Sequence, residues 1–319
     1  MDALSDVLAA ARLSAVAFLH AEFTAPWCII AQVGEADCRP LGAVPPHIIA
    51  YHYVVDGSLR LELPGAPVLQ LHAGDIVMLP RNDPHVLASA AHLRPQLVDN
   101  LIQPLGSSGL AELCYGGGGA ATHLICGFLG CELPRSPLLE TLPAVLHLPL
   151  YEDVAGVWVS QSFHLAAEEF AANRLGSTTV LNKLAELLFV EAVRRYLSEL
   201  PAGQTGWLAG LRDPFVGRAL ALLHHHLALP WTTEGLAREV GLSRSAFAER
   251  FTRLVGQPPM HYLAHWRLQS AALRLRDGGQ LLAQIAFDVG YESEAAFNRA
   301  FKREFGLPPA TWRRQQAPH

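Results

Sequence analysis

One sequence pattern occurs twice in the last third of the chain. Phe-x3-Phe-x4-Gly-x-Pro-Pro begins at Phe247 and begins again at Phe297, fifty residues later. A short apolar stretch ending in glycine precedes each copy, at residues 236–241 and 285–290. Phenylalanines four residues apart lie on one side of a helix, and glycine followed by prolines ends that helix. The pattern therefore predicts two copies of one unit, each a helix, a tight turn and a second helix.

The second helix of each unit combines a buried side with a basic side. In the later copy Arg299, Lys302 and Arg303 lie largely off the phenylalanine side. A helix-turn-helix with a basic second helix is typical of DNA-binding proteins. Two helical hairpins of an ordinary bundle are the alternative interpretation.

Residues 213–314 strongly resemble the DNA-binding domain of AraC/XylS transcription regulators. The matching segments are W-T-T-E-G-L-A-R-E-V-G-L-S-R-S-A-F at 231–247 and I-A-F-D-V-G-Y-E-S-E-A-A-F-N-R-A-F-K at 285–302. The resemblance implies two helix-turn-helix units, at about 232–254 and 281–305, joined by a long helix. It also implies double-stranded promoter DNA and RNA polymerase as partners.

The outward residues of the second helix in each unit are the predicted DNA contacts. Residues near the helix N-terminus are expected to face base edges, and later basic residues to reach phosphates. Asn298 is a candidate for reading adenine. In the first unit the predicted contacts are Ser243, Arg244, Ser245, Ala246, Glu249, Arg250 and Arg253. In the second unit they are Glu292, Ser293, Glu294, Ala295, Asn298, Arg299, Lys302 and Arg303.

A long helix is predicted between the two units, at residues 258–277. Twenty helical residues span about 30 Å, close to the roughly 34 Å of one turn of DNA. The two units are therefore expected to enter successive major grooves on one side of a duplex.

Charge is divided unevenly along the chain. Residues 213–319 hold 13 Lys and Arg against nine Asp and Glu, a balance of +4. The remaining 11 basic and 20 acidic residues give residues 1–212 a balance of −9. This division predicts nucleic acid at the C-terminal part only.

The sequence also bears on the cellular compartment. Five cysteines without regular spacing do not form a disulfide scaffold. The N-terminus is acidic at Asp2 and Asp6, unlike a signal peptide, and no stretch approaches about 20 apolar residues. A bacterial cytoplasmic location is the expectation, the bacterial part following from the family.

Short apolar runs alternate with Gly, Pro and Asp from about residue 26. The runs are 27–33, 47–55, 59–63, 68–71, 76–79 and 85–87. Such spacing predicts a β-sandwich or barrel. The predicted fold is therefore α+β and multidomain. A sensor and dimerisation domain at 1–200 is followed by a linker at 201–212 and an all-α DNA-binding domain at 213–314.

Two motifs in the strand-rich part resemble the cupin barrel. Y-V-V-D-G at 53–57 is similar to the end of the first cupin motif, and Gly74-Asp75-x4-Pro80-x4-His85 is similar to the second. In metal-binding cupins the position of His85 holds a metal ligand. The H-x-H pair and the later Glu of those proteins are missing here.

The remaining candidate ligands limit a metal site. His47 and His52 are five residues apart, so on one strand they point to opposite faces, and at most one can join His85. Cys28 or His72 could complete a site with them. A lone inward histidine is more often a hydrogen-bonded structural residue. A divalent metal at His52 and His85 is therefore one of two interpretations.

The resemblance further implies a small-molecule effector in the barrel, since the family uses such domains as sensors. The candidate effector-binding residues are Trp27, His52, Arg60 and His85. No residue set suggests catalysis. A metal-dependent cupin enzyme, or a redox or metal sensor, joined to a DNA-binding module is the alternative.

Cysteines could act as redox sensors if one has a depressed pKa. The candidates are Cys114, Cys126 and Cys131. Small buried apolar residues are the other interpretation.

Residues 158–200 are predicted to be mostly helical. Leu181, Leu184, Leu188 and Ala192 give the second helix a wide apolar face. That face could pack on the barrel or pair with its twin in a homodimer, as in similar proteins, and the sequence leaves both open.

Overall fold

The computed structural model describes residues 2–41, 43–98, 101, 111–133, 135–149, 154–172, 174–201 and 203–316. They divide into two compact units. The barrel unit contains Leu13–Cys131 and Leu142–Tyr196. The reader unit contains the N-terminal residues to Arg12, Glu132–Thr141 and the chain from Leu197 onward.

Helices of the described residues are numbered in chain order. They are α1 (Ala3–Ala11), α2 (Pro137–Thr141), α3 (Val154–Ala171), α4 (Ser177–Glu199), α5 (Trp207–Arg212), α6 (Pro214–His225), α7 (Thr233–Val240), α8 (Arg244–Val255), α9 (Pro259–Asp277), α10 (Leu282–Asp288), α11 (Glu294–Phe305) and α12 (Pro309–Gln316). A 3₁₀ helix lies at Glu35–Leu41.

The strands follow the same numbering. They are β1 (Ser14–Thr24), β2 (Cys28–Ala31), β3 (His47–Asp56), β4 (Ser58–Glu62), β5 (Leu69–His72), β6 (Asp75–Leu79), β7 (His85–Ala88), β8 (Gln96–Leu97), β9 (Ala111–Gly116), β10 (Ala121–Cys131) and β11 (Leu146–Pro149).

Two sheets build the barrel unit. One has the strand order β11-β6-β3-β10-β1-β9 and the other β5-β4-β7-β2-β8. Alternate residues of the strands, among them Val54, Leu61, Leu87 and Leu124, are fully buried in one core. The predicted sheet-rich cupin-like fold is confirmed.

The long first strand was not predicted. β1 reads S-A-V-A-F-L-H-A-E-F-T and follows α1 after only two residues. Residues 19–24 alternate apolar and polar side chains, but the alanine-rich apolar residues before them leave the pattern ambiguous between helix and strand. The segment forms a strand because it pairs with β10 on one side and with β9 on the other.

Helices α3 and α4 divide their apolar residues between a buried and an exposed side. On α4, Leu181, Leu188 and Ala192 are buried. Val180 and Leu187, seven residues apart on the same helix, are more than 40% exposed. The predicted apolar face therefore has one side that packs within the barrel unit and another that reaches the surface.

The reader unit has the two predicted helix-turn-helix units. Each second helix is capped by a serine, since Ser243 accepts from the Ala246 amide and Ser293 from the Ala296 amide. Phe297 and Phe301 of α11 are fully buried against α9, α10 and α12, as Phe247 and Phe251 of α8 are buried in the first unit. The all-α fold predicted for the C-terminal domain is confirmed.

The segment predicted as a linker contains the helix α5. Trp207 is buried, and its Nε1 donates to the Tyr262 hydroxyl at 2.8 Å. Arg212 donates to the Leu200 carbonyl at 2.5 Å. The tryptophan and leucine inside this glycine-rich stretch were the signal for a packed segment.

Two pieces of the N-terminal part also pack within the reader unit. Arg12, which ends α1, is ion-paired with Asp277 at the end of α9. Arg276 donates to the Glu132 carbonyl at 2.9 Å. Both contacts join residues far apart in sequence, so no local pattern predicts them.

Among the described residues, no helix combines the length and apolar character that crossing a bilayer requires.

Candidate nucleic-acid interface and barrel site

The predicted contact face of α8 lies at the surface. Phe247 and Phe251 point into the core, so the opposite side of the helix is left to solvent. The exposed predicted residues are Ser243, Arg244, Ser245, Ala246, Glu249 and Arg253. Hydroxyls at the N-terminus and an arginine one turn from the C-terminus suit base edges and phosphates respectively.

Arg250 is the exception on this helix. Its Nε and Nη2 both donate to Asp213 Oδ2, at 2.8 and 2.6 Å, and its guanidinium lies 5.1 Å from the centre of the Phe215 ring. Burial disfavours the ionised form of Asp213, but hydrogen bonds from Arg250 and two backbone amides outweigh it and lower the pKa. Arg250, a predicted DNA contact, is therefore ion-paired and only partly exposed, and its side chain holds the start of α6.

The contact face of α11 is exposed in the same way. The exposed predicted residues are Glu292, Ser293, Glu294, Ala295, Arg299, Lys302 and Arg303, and Asn298 is half-buried. Two glutamates beside the helix N-terminus supply acceptors, which can read the amino group of cytosine. The cations follow in the later turns, where they can reach phosphates.

Arg267 of α9 is a positioning residue that the sequence did not reveal. Its guanidinium donates to the carbonyls of Leu227 at 2.9 Å, Leu229 at 2.7 Å and Gly290 at 3.0 Å. Gly290 is in the turn between α10 and α11, with φ of +88°. These three hydrogen bonds, called the Arg267 clamp below, hold that turn against the segment following α6. A single arginine in a long helix carries no signal of this role.

The His224–His226 tract is not a cluster of converging ligands. His224 is turned inward, 2.7 Å from the Tyr262 hydroxyl and stacked on Trp266 with ring centres 4.3 Å apart. Burial lowers the pKa of His224 to about 3, so it is neutral at pH 7. His225 and His226 are exposed. Three consecutive residues of a helix point in three different directions, so these imidazoles do not converge.

The barrel unit holds a small apolar cavity of about 30 Å³. Its wall includes Phe23, Ile29 and Leu87, and His52 and His85 are its titratable imidazoles. Gln32, which is exposed, lies at its rim. The structure therefore brings two of the four candidate effector-binding residues together at one cavity.

The other two candidates lie elsewhere. Trp27 is buried and stacked on Phe23 with ring centres 4.1 Å apart, so it supports the cavity wall from behind. Arg60 is paired with Glu62 at 3.5 Å on β4. Neither is among the residues that line this cavity.

His52 and His85 belong to a chain of buried hydrogen bonds. Cys126 Sγ is 2.9 Å from His52 Nδ1, His52 Nε2 is 2.7 Å from His85 Nε2, and His85 Nδ1 is 2.9 Å from the Asp83 carbonyl. Burial and the neighbouring imidazole lower the pKa of His52 well below its usual range. Burial likewise lowers the pKa of His85. Both rings are therefore neutral at pH 7.

Neutral rings leave one arrangement of protons in this chain. A carbonyl only accepts, so His85 Nδ1 carries the proton and His85 Nε2 is an acceptor. His52 Nε2 must then donate to it, which leaves His52 Nδ1 to accept from the Cys126 thiol. Every polar atom of the chain is satisfied.

The ligand set of a divalent-metal cupin is not assembled here. Among the described residues, no three His, Cys, Asp or Glu side chains converge on one point. His72, which was considered as a further ligand, lies on β5 and is 59% exposed. Burial raises the pKa of Cys28, the other candidate. Two imidazoles alone do not fit an ion that prefers four or more ligands.

The Cys126 thiol does not have the depressed pKa that a redox sensor requires. Burial raises the pKa of its thiol to about 12. Burial therefore favours the interpretation of Cys126 as a small buried apolar residue, because the neutral thiol is a poor nucleophile. Cys131 is also buried, whereas Cys114 is exposed.

Known protein families match both the N-terminal and the C-terminal part of this chain. A model described as cupin matches residues 2–198, and one described as a helix-turn-helix domain matches residues 236–315. An AraC-like transcription regulator of Streptomyces lividans is 35% identical over 84% of this chain and 88% of its own. The transcriptional regulator AlkR of Acinetobacter baylyi is 29% identical over 99% of this chain and 100% of its own.

Solved structures include proteins similar to the reader unit. The DNA-binding domain of AdpA in complex with a target DNA is 29% identical, covers 32% of this chain and 92% of its own, and has a TM-score of 0.31.

A cupin-like domain followed by two helix-turn-helix units defines a class of DNA-binding transcription regulators. The chain belongs to the AraC-type family within that class.

Proposed function

We propose that the reader unit binds promoter DNA by placing α8 and α11 in successive major grooves of one duplex. The observation that carries this proposal is the pair of exposed polar and basic faces on two equivalent helices. The helix α9 between them has 19 residues, a length of about 28 Å. This is close to the roughly 34 Å between successive grooves. RNA polymerase is the protein partner at the promoter.

The proposed base-reading residues are those in the first turns of α8 and α11, and Asn298. Phosphates are bound by Arg244, Arg253, Arg299, Lys302 and Arg303. Arg250 acts indirectly, by bracing α6 against α8.

The barrel unit is proposed to bind an effector at the cavity beside His52 and His85. Its role is regulatory rather than enzymatic, which the naming of the relatives as transcription regulators supports. The proposed location is the cytoplasm, where promoter DNA is accessible in a bacterium.

Competition binding tests the DNA proposal. The full chain is mixed with a labelled duplex from upstream of its own reading frame, and unlabelled competitors are added at several salt concentrations. The expected result is that a scrambled duplex of equal base composition competes at least about a thousandfold less well. Equal competition by both duplexes would contradict sequence-specific reading.

The exposed apolar side of α3 and α4 supports a homodimer. Trp158 is 60% exposed and Leu165 58%, and they lie seven residues apart on α3. Val180 and Leu187 repeat that spacing on α4. Large apolar side chains that are exposed along one side of a helix are typical of a surface that is covered in the assembled protein.

Charge on this side should dissociate the dimer. The Leu187→Glu/Leu165→Glu variant is expected to sediment as a monomer at concentrations where the wild type is a dimer, because paired carboxylates cannot be buried cheaply. Glu168→Lys, a change at an exposed carboxylate of α3, is the matched control. A wild-type chain that is monomeric throughout, or a variant that dimerises as tightly as the wild type, would overturn the assignment.

A further inference from the structure

The strand β10 connects the cavity wall to the reader unit along the chain. Cys126 and Gly127 of this strand line the barrel cavity. The strand ends at Cys131, and the next residue, Glu132, already belongs to the reader unit. The described chain therefore passes from Cys126 to Glu132 without an intervening turn or linker.

Residues 132–135, called the strap below, are held on α9 at both ends. Arg276 of α9 donates to the Glu132 carbonyl at 2.9 Å. At the other end the Arg135 amide donates to Gln269 Oε1 at 3.0 Å. Gln269 and Arg276 are seven residues apart, so they lie two helical turns apart on one side of α9. The strap therefore contacts the helix that joins the two helix-turn-helix units.

The strap has little spare length between these two contacts. Three residues of chain reach at most about 11 Å, and seven helical residues rise about 10.5 Å. Only a small displacement of Glu132 can therefore be absorbed before Arg135 moves as well. Because the Gln269 side chain is fully buried, it has little freedom to follow the Arg135 amide unless α9 moves with it.

The Arg135 end of the strap also reaches the contact helix α11. Glu304 Oε1 on α11 lies 3.7 Å from Arg135 Nη1 and 2.9 Å from His265 Nδ1 on α9. Arg267, whose clamp holds the turn before α11, is two residues from Gln269 on α9. The strap, α9 and α11 therefore meet in one cluster of polar contacts.

We propose that the strap couples the cavity wall to the position of α11, with Gln269 as the positioning residue. A displacement of β10 moves Glu132 and Arg135, and Gln269 transmits it to α9 and thereby to the turn before α11. The proposal rests on the sensor function proposed for the barrel and on the DNA contacts proposed for α11. Exchange measurements on the protein alone test the strap separately, so a failure of those functions is distinguishable from a failure of the coupling.

Two substitutions in the cavity wall displace β10. A Cβ atom at Gly127 would lie 2.4 Å from the Tyr51 hydroxyl and 2.4 Å from the Val16 carbonyl oxygen, in the strands on either side of β10. Gly127→Ala therefore forces a shift, and Cys126→Val is a milder variant in case the first does not fold. Leu71→Ala is the matched control, because Leu71 is fully buried on β5 but does not line the cavity.

Hydrogen–deuterium exchange of the full chain, without DNA, tests the coupling directly. Either wall variant should speed amide exchange in residues 132–141 and in α11 about fivefold or more. Leu71→Ala should leave exchange there unchanged. Gln269→Met keeps the length of the side chain but removes the acceptor, so alone it should speed exchange of the Arg135 amide about tenfold. Combined with a wall variant, it should abolish the additional response of α11.

DNA affinity shows whether the coupling has a functional consequence. Each wall variant should change the dissociation constant for the upstream duplex about fivefold or more. The same variant should change it less than about twofold when Gln269→Met is also present. Ser270→Ala, at the next position of α9, is the matched control and should leave the full response in place.

Three results would overturn the proposal. The first is unchanged exchange in α11 in both wall variants, and the second is a response of equal size with and without Gln269→Met. The third is an unchanged DNA affinity in a wall variant that does alter exchange in α11. A chain that shows the exchange response but does not bind its duplex would support the coupling and contradict the proposed DNA contacts alone.

Discussion

Removing two basic side chains from either contact helix should weaken DNA binding about a hundredfold. The first variant is Arg244→Ala/Arg253→Ala on α8, and the second is Arg299→Ala/Lys302→Ala on α11. Each lost phosphate contact is expected to reduce the slope of log affinity against log salt by about one, so each pair reduces it by about two. The measurement is fluorescence anisotropy with the upstream duplex, repeated over a range of salt concentrations.

The two helices should contribute to a similar degree, because their exposed faces are equivalent. Arg94→Ala removes an exposed arginine from the barrel unit and should leave both the affinity and the salt slope unchanged. Arg250→Ala is informative in a different way, since it should lower the thermal stability of the reader as well as its affinity. An unchanged salt slope in both double variants would refute the assigned contact faces.

Replacing Gly290 with alanine should reduce stability about twice as much as replacing Gly241, or more. Both glycines are in the turn of a helix-turn-helix unit, with φ of +88° and +77°. A left-handed conformation costs about 1–2 kcal/mol for a residue with a Cβ atom. At Gly241 nothing lies within 4 Å of the added atom, so that cost is the whole effect.

At Gly290 the added atom also strikes the arginine clamp. It would lie 2.6 Å from Arg267 Nη2 and 2.9 Å from the Ala228 Cα. Displacing Arg267 disrupts three charge-assisted hydrogen bonds, each of which contributes about 1.5–3 kcal/mol. We therefore expect the free energy of unfolding of the reader to fall by about 3 kcal/mol or more in Gly290→Ala.

Chemical denaturation followed by tryptophan fluorescence measures both glycine variants. Gly290→Ala should also weaken DNA binding, because the turn that orients α11 moves. Gly241→Ala should bind DNA nearly as well as the wild type once it is folded. Equal loss of stability in the two variants would mean that the Arg267 clamp adds nothing at this turn.

Local patterns predicted those parts of the fold in which neighbours in sequence decide the structure. Phe247, Phe251 and their repeat fixed the buried side of each contact helix, and the capping serines and terminal glycines fixed its ends. The odd spacing of His47 and His52 correctly placed only one of them beside His85. Each of these inferences depends on a helix or strand period, which the sequence displays directly.

Long-range pairing decided the features that the sequence did not reveal. In the sequence Arg250 resembles its neighbours on a basic helix, because its hydrogen-bond partner Asp213 lies 37 residues earlier. Arg267 has no local signature, because all of its partners are backbone carbonyls. The contact between His52 and Cys126 arises from the register of β3 against β10. Strand register depends on the assembled sheet and not on either strand alone.

Hydroxyl-radical footprinting of the full chain on its upstream duplex tests the central claim most directly. With α8 and α11 in successive major grooves, each bound chain should protect two patches on one face of the DNA, about 10 base pairs apart. At protein concentrations that saturate the duplex, Arg244→Ala/Arg253→Ala should erase one patch of each pair, and Arg299→Ala/Lys302→Ala the other. A single patch in the wild type, or two patches that weaken together in both variants, would contradict the account.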